Sequence, residues 1–242
     1  MKRILIIVPE LVAPPGLLGQ ALIENGARYD AVFPVARFAS QSPLAYPGLP
    51  AGPGGYAGLI VMGGPMSARD EHDYPFLTET MALIRAFTAA ERPVLGVCLG
   101  AQIIAHAFGG EIYRMGKLES GFYQLGLTAE GRADPLFQEM VEPVTAFENH
   151  YEATRDTPGA VTLMTGGACP VQAFRVSAKT YGVQFHVEVT LDIVRDWIRM
   201  FGKDFCRDEP RLLTDLEQQF DTHFGDYAQV CRTLTRNWLA LT

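Results

Sequence analysis

Three stretches of the sequence place reactive side chains at spacings suited to covalent chemistry. Gly96-Val97-Cys98-Leu99-Gly100 has the G-x-nucleophile-x-G form of a strand-to-helix elbow, with a thiol as the nucleophile. Its glycines let the strand pass close to a neighbour and let a helix start without a Cβ clash. The turn forces the Cys98 side chain out at the C-terminal edge of a sheet, at a helix N-terminus that favours thiolate. The plainer reading is a buried apolar cysteine, because free Cys is among the most buried residue types. Tyr181-Gly182-Val183-Gln184-Phe185-His186-Val187-Glu188 reads as a strand, and its period of two puts His186 and Glu188 on one side of an extended chain. A thiol nucleophile needs a base within hydrogen-bond reach, and the base needs a third group to orient it. His186 and Glu188 supply both roles, although a His-x-Glu pair by itself is more often an exposed strand end. Gly63-Gly64-Pro65 follows a buried strand, and glycines there let backbone N–H groups face a ligand as an oxyanion hole requires; an ordinary turn is the competing reading.

The elements that must hold these residues alternate between strand and helix patterns. Ile4–Val8 is a continuous apolar run, as expected of a strand buried on both faces. Helical spacing follows from Leu17 to Ile23, then strand patterns at Tyr29–Val35 and Gly58–Met62. A helix is predicted from about Pro75 to Ala90, a strand at Pro93–Val97 and a helix over Gln102–Phe108. This alternation predicts an α/β fold, Rossmann-like or flavodoxin-like: a mostly parallel sheet with helices on both faces. After Gly109-Gly110 come short strand patterns, including Glu111–Arg114, Tyr123–Thr128, Val144–Phe147, Val161–Met164 and Val171–Val176, which predict added antiparallel strands. Leu191–Phe201 reads as a helix. From Asp204 on, Leu213, Leu216, Phe220, Phe224, Tyr227, Val230, Leu234 and Trp238 recur at steps of three and four, a helical C-terminal appendage whose stripe must be covered. The division read from this is residues 1–203 and 204–242. Self-packing of the tail is the simpler reading, and a homodimer or partner interface the alternative.

Taken together, the three motifs resemble those of the class I, triad-type glutamine amidotransferases, in particular stand-alone domains similar to the glutaminase half of GMP synthase. The resemblance runs from roughly residue 55 to 200. The elbow continues as Ala101-Gln102, Gln184-Phe185-His186-Val187-Glu188 stands at the family's His-Pro-Glu motif, and Gly63-Gly64-Pro65 at its oxyanion strand. Lys117–Gly121, Ala133–Phe137 and Pro170–Phe174 also resemble segments of GMP-synthase-like members. The resemblance implies that Cys98 attacks the glutamine side-chain amide, that His186 shuttles the proton, and that Glu188 orients His186. It implies backbone N–H donors at Gly64, beside Gly63, and at Leu99, a substrate contact from Gln102, a γ-glutamyl thioester, and release of glutamate and ammonia, the latter for a separate synthetase. Two departures stand out. Val187 replaces the family's usual Pro and suits an extended chain. His150-Tyr151-Glu152, after Asn149, replaces the usual His-Gly-Asp beside the glutamine pocket, and this puts the identity of the substrate in question. A stand-alone γ-glutamyl hydrolase or amidase is therefore one alternative, and a non-catalytic partner-binding relative another.

Composition limits the remaining classes. The chain has 242 residues, 48% of them hydrophobic and 19% charged, values that exclude a disordered chain. A net charge of −7 argues against nucleic-acid binding and against docking on anionic lipid. The early apolar run is too short for a signal peptide core, and no stretch approaches the ~20 apolar residues of a membrane span, so a cytoplasmic protein is expected. Cys98, Cys169, Cys206 and Cys231 form no CxxC pair, and no HExxH, GxxxxGK[ST] or GxGxxG motif occurs, so neither a metal nor a cofactor is expected. Cys169, beside Pro170, is read as packing.

Overall fold

Ile4, Leu5, Ile6 and Ile7 of strand β1 (Arg3–Ile7) are all fully buried. Ile4 and Ile6 enter one core cluster, Leu5 and Ile7 another, so the strand is covered on both faces. The computed structural model describes residues 1–34, 48–205 and 212–242; Val35 and Cys206 lie outside them. The chain continues through α1 (Gly16–Glu24), β2 (Arg28–Val32), β3 (Gly58–Val61), α2 (Phe76–Ala89), β4 (Val94–Val97) and α3 (Leu99–Ala107). It then runs through β5 (Glu111–Leu127), α4 (Ala129–Ala133), β6 (Val144–Arg155), β7 (Val161–Thr165), β8 (Ala173–Ser177), β9 (Thr180–Val183), α5 (Leu191–Phe205) and α6 (Leu212–Ala240).

These strands make one nine-stranded mixed sheet in the order β2-β1-β3-β4-β9-β8-β7-β5-β6. The five from β2 to β9 are parallel, and every pairing beyond β9 is antiparallel. The fold is thus the expected α/β arrangement with antiparallel strands added on one side. Strands β3, β4 and β9 are neighbours and point the same way, so their C-terminal ends open on one place. Open parallel sheets bind ligands outside those ends.

α2 and α3 cover one face, where Phe76, Phe87, Ile103 and Ile104 pack on Leu5, Leu59 and Val94. α1, α5 and α6 contribute to the opposite cluster, where Leu18, Trp197, Tyr227 and Trp238 pack with Ile6, Ile60 and Leu95. The stripe read from the tail is therefore largely covered by the protein itself. Leu216, Phe220, Tyr227, Val230, Leu234 and Trp238 are buried, and Phe224 is partly so.

Two segments differ from the sequence reading. Glu111–Arg114 and Tyr123–Leu127 belong to one long strand, β5, whose register against β6 shifts between Arg114 and Glu119, while Thr128 caps α4. A bulge of this kind breaks the alternation that makes a strand legible. β9 stops at Val183, before His186 and Glu188, which lie in a bent segment tied to β6 by the His186 N–H donating to the Phe147 carbonyl at 2.8 Å.

Candidate active site

Cys98 is the residue between β4 and α3, with φ 51° and ψ −108°. A non-glycine residue in that region is strained and persists only where its surroundings enforce it. The elbow glycines show the enforcement. A Cβ on Gly100 would lie 2.0 Å from the Val61 carbonyl oxygen, and one on Gly96 would lie 2.4 Å from the Gly100 carbonyl carbon. The strand and the new helix can be this close only without side chains at those positions. Leu99 is the first residue of α3, where first-turn N–H groups have no partner within the helix.

Beyond β9, the His186 imidazole and the Glu188 carboxylate meet directly, with His186 Nδ1 2.7 Å from Glu188 Oε1. The second carboxylate oxygen, Oε2, accepts the Val187 N–H at 2.8 Å. The backbone of Glu188 is fixed as well: its carbonyl accepts the Leu17 N–H of α1 at 2.9 Å, and the following Val189 N–H donates to the Tyr227 hydroxyl of α6 at 2.8 Å. The other ring nitrogen, His186 Nε2, is buried without a hydrogen bond to the protein. Burial works against the imidazolium, but the Glu188 carboxylate and the Cys98 sulfur outweigh it and hold the His186 pKa well above the usual value. The Trp197 ring packs 5.0 Å from that of His186 and is fixed by its own indole N–H, which donates to the Val12 carbonyl at 2.8 Å.

A pocket of about 290 Å³ opens over this centre. Gly63, Gly64, Cys98, Leu99, Gln102, Asn149, His150, Tyr151 and His186 line it, so the residues singled out from sequence converge there; Glu188 sits behind His186, fully buried. A Cβ on Gly63 would come 3.1 Å from the His186 ring and 3.6 Å from Cys98 Cβ, which places the Gly63-Gly64 turn against both. Sequence reading missed Gln184. Its amide donates to Cys98 Sγ at 3.7 Å and accepts from the Gln102 amide at 3.3 Å. Gln102 also donates to the Glu152 carbonyl at 2.8 Å, so its side chain braces the pocket wall. Tyr151 does not stand alone at the mouth: the Arg114 guanidinium lies 4.9 Å from the centre of its ring. Both Arg114 and the α5 residues Trp197 and Phe201 line the pocket. Elsewhere, His106 pairs with Glu71, while Cys169 and Cys231 are buried thiols whose pKa values burial pushes up, that of Cys169 to about 12.

A thiol on a strained elbow, an imidazole backed by a carboxylate and a glycine turn beside both form an arrangement suited to acyl transfer on an α/β sheet. The chain belongs to the class-I glutamine amidotransferase family, whose model matches residues 20–201. A glutamine amidotransferase-like protein of Salmonella typhimurium is 33% identical over 144 residues, 58% of this chain and 60% of its own length. A glutamine-hydrolyzing GMP synthase subunit from Thermococcus kodakarensis is 30% identical over 153 residues, covering 60% of this chain and 76% of the relative. The chain thus spans less than two thirds of the Salmonella relative, and only 28% of the GMP synthase of Ligilactobacillus salivarius. A glutamine amidotransferase of Thermotoga maritima has the same fold from end to end, with a TM-score of 0.79, 25% identity and 98% of each chain covered. Among the described residues no helix is long and apolar enough to cross a membrane.

Proposed function

We propose that the protein hydrolyses the side-chain amide of glutamine, with Cys98 as nucleophile, His186 as proton shuttle and Glu188 as the group that orients His186. The observation that carries this reading is the convergence of Cys98 Sγ, the unpaired His186 Nε2 and the Gly63-Gly64 turn on one pocket at the ends of three neighbouring parallel strands. Cys98 gives its proton to Nε2 and attacks the amide carbon. The Gly64 and Leu99 N–H groups hold the developing oxyanion, where positioned donors contribute most. His186 then passes the proton to the departing ammonia, leaving a γ-glutamyl thioester that water hydrolyses to glutamate. The Nδ1 contact with Glu188 orients the ring and stabilises the imidazolium that forms when Nε2 takes the thiol proton, in line with the raised His186 pKa. Relatives named as separate subunits of glutamine-hydrolyzing GMP synthase support delivery of the ammonia to a synthetase partner.

A second reading, hydrolysis of another γ-glutamyl compound, is favoured by the stacked Arg114–Tyr151 pair at the pocket. A cation there suits a substrate with an additional anionic group. The purified protein is assayed for glutamate release from glutamine and from a panel of γ-glutamyl amides. Cys98→Ala abolishes turnover in either case, a loss of several decades. An electrophilic glutamine analogue labels Cys98 and spares Cys169; labelling at Cys169 would overturn the assignment.

A further inference from the structure

We propose that Glu119, His150 and Cys169, with Glu148 as a fourth ligand, form a binding site for a divalent cation of the zinc class, behind the wall of the pocket. The β5–β6 register assembles most of it. Glu119 lies directly opposite His150, and Glu148 lies two residues from His150 on the same strand, so period two turns all three side chains to one face. Cys169 comes from the β7–β8 connection. One ligand atom from each of Glu119, His150 and Cys169 lies within 4.8 Å of the others, and all three residues are buried.

Several observations favour a cation over a closed hydrogen-bond network. His150 Nε2 is 3.4 Å from Glu119 Oε2 and 3.0 Å from Glu148 Oε2, ion-pair distances for a protonated imidazole, but none of the three atoms makes a hydrogen bond. Such separations are close to the edge of a tetrahedron with bonds of ~2 Å, the zinc–nitrogen and zinc–oxygen length. Neither oxygen of Glu148 makes a hydrogen bond, and the residue is completely buried. Two buried carboxylates share one imidazole, so a protonated His150 offsets only one of the two charges; a dication offsets both. The opposite ring nitrogen, His150 Nδ1, is 3.0 Å from the Glu152 carbonyl. That contact keeps a proton on Nδ1, so a cation that displaces the other ring proton finds Nε2 as the ligand atom, the arrangement typical of metal-bound imidazole. The set of sulfur, imidazole and carboxylate suits zinc rather than magnesium or calcium. The ligands are scattered over about fifty residues of sequence, so no metal motif announces them. Because His150 also lines the pocket, the ion would set the position of the wall that Tyr151 and Asn149 share.

The test uses the full-length chain carrying Cys98→Ser, so that the nucleophile in the pocket cannot bind metal itself. The protein is stripped with chelator and titrated with Co²⁺. One Co²⁺ per chain is expected, with a thiolate-to-metal charge-transfer absorption and a rise in the unfolding temperature. Adding Cys169→Ser removes the absorption, and Glu119→Gln weakens binding at least tenfold. Wild-type protein alkylated at Cys98 gives the same readings should the serine variant not fold. Absence of stoichiometric binding, or an absorption that survives Cys169→Ser, overturns the proposal. Neither readout depends on glutamine hydrolysis.

Discussion

Replacing Glu188 with glutamine changes more than a charge. In the native site one carboxylate oxygen contacts His186 Nδ1 at 2.7 Å, and the other accepts the Val187 N–H at 2.8 Å. Both partners present donors, and a carboxylate has two acceptors. An amide has one acceptor and one NH₂. The backbone N–H at 187 cannot reverse its polarity, so the carbonyl of the substituted side chain turns toward it and the NH₂ faces Nδ1. His186 then shifts its proton to Nε2, and the lone pair needed for the Cys98 proton is gone. Loss of one charge-assisted bond is worth ~1.5–3 kcal/mol, or about 10–150-fold. The wrong tautomer takes the loss in kcat toward ~10⁴. A proline at 187 has no N–H to accommodate. Val187→Pro alone lowers kcat by roughly tenfold, because one donor on the carboxylate is lost. In the double variant Val187→Pro/Glu188→Gln the amide oxygen is free to accept from Nδ1, so the proline becomes beneficial in that background and kcat rises at least tenfold above that of Glu188→Gln. Steady-state glutaminase assays of the four proteins decide it. A double variant no faster than Glu188→Gln, or a Glu188→Gln enzyme within tenfold of wild type, would refute the tautomer argument.

Trp238→Ala should cost ~3–5 kcal/mol, because the indole is completely buried and packs on Gly58 at the start of β3. At ~2–4 °C per kcal/mol the thermal midpoint drops by about 6–20 °C, while kcat at 25 °C stays near wild type; calorimetry and the same assay check both. Burial alone would lower the His150 pKa, but the Glu119 and Glu148 carboxylates hold it at about 10. Since the folded value is raised, this stability is full below pH ~6.5 and is lost as pH climbs toward 10. In metal-free protein the urea midpoint should fall over that window, and His150→Gln should flatten the fall; an identical slope in both proteins contradicts it. Arg114→Ala should raise KM with little change in kcat for a substrate with an anionic group at the mouth; unchanged KM across the γ-glutamyl panel removes Arg114 from recognition.

The legible parts of the site are those whose geometry is local. The Gly96–Gly100 elbow is a five-residue conformation, and its two glycines are required by approaches of 2.4 and 2.0 Å that any side chain would block. His186 and Glu188 are neighbours in sequence and stay neighbours in space, although the chain bends there instead of continuing as strand. Gln184 is not legible, because its contact with Cys98 arises from the pairing of β4 with β9, which joins residues 86 apart. The same holds for Glu119 opposite His150, a match set by the shifted register after Arg114. In the tail, spacing reveals the apolar stripe but not that Tyr227 on it holds the amide next to Glu188.

That last contact bears on when the site is completed during folding. Glu188 is clamped by Leu17 on one side and, through Val189, by Tyr227 on the other, two anchors separated by most of the chain. Contacts so distant in sequence form late, since their loop-closure entropy must be met before they stabilise anything. The thiol elbow draws on distant chain as well, since Gly100 lies against Val61 of β3 and the Cys98 N–H donates to the Val183 carbonyl of β9 at 2.8 Å. The proposed triad is therefore complete only once α1 and α6 have both docked on the sheet.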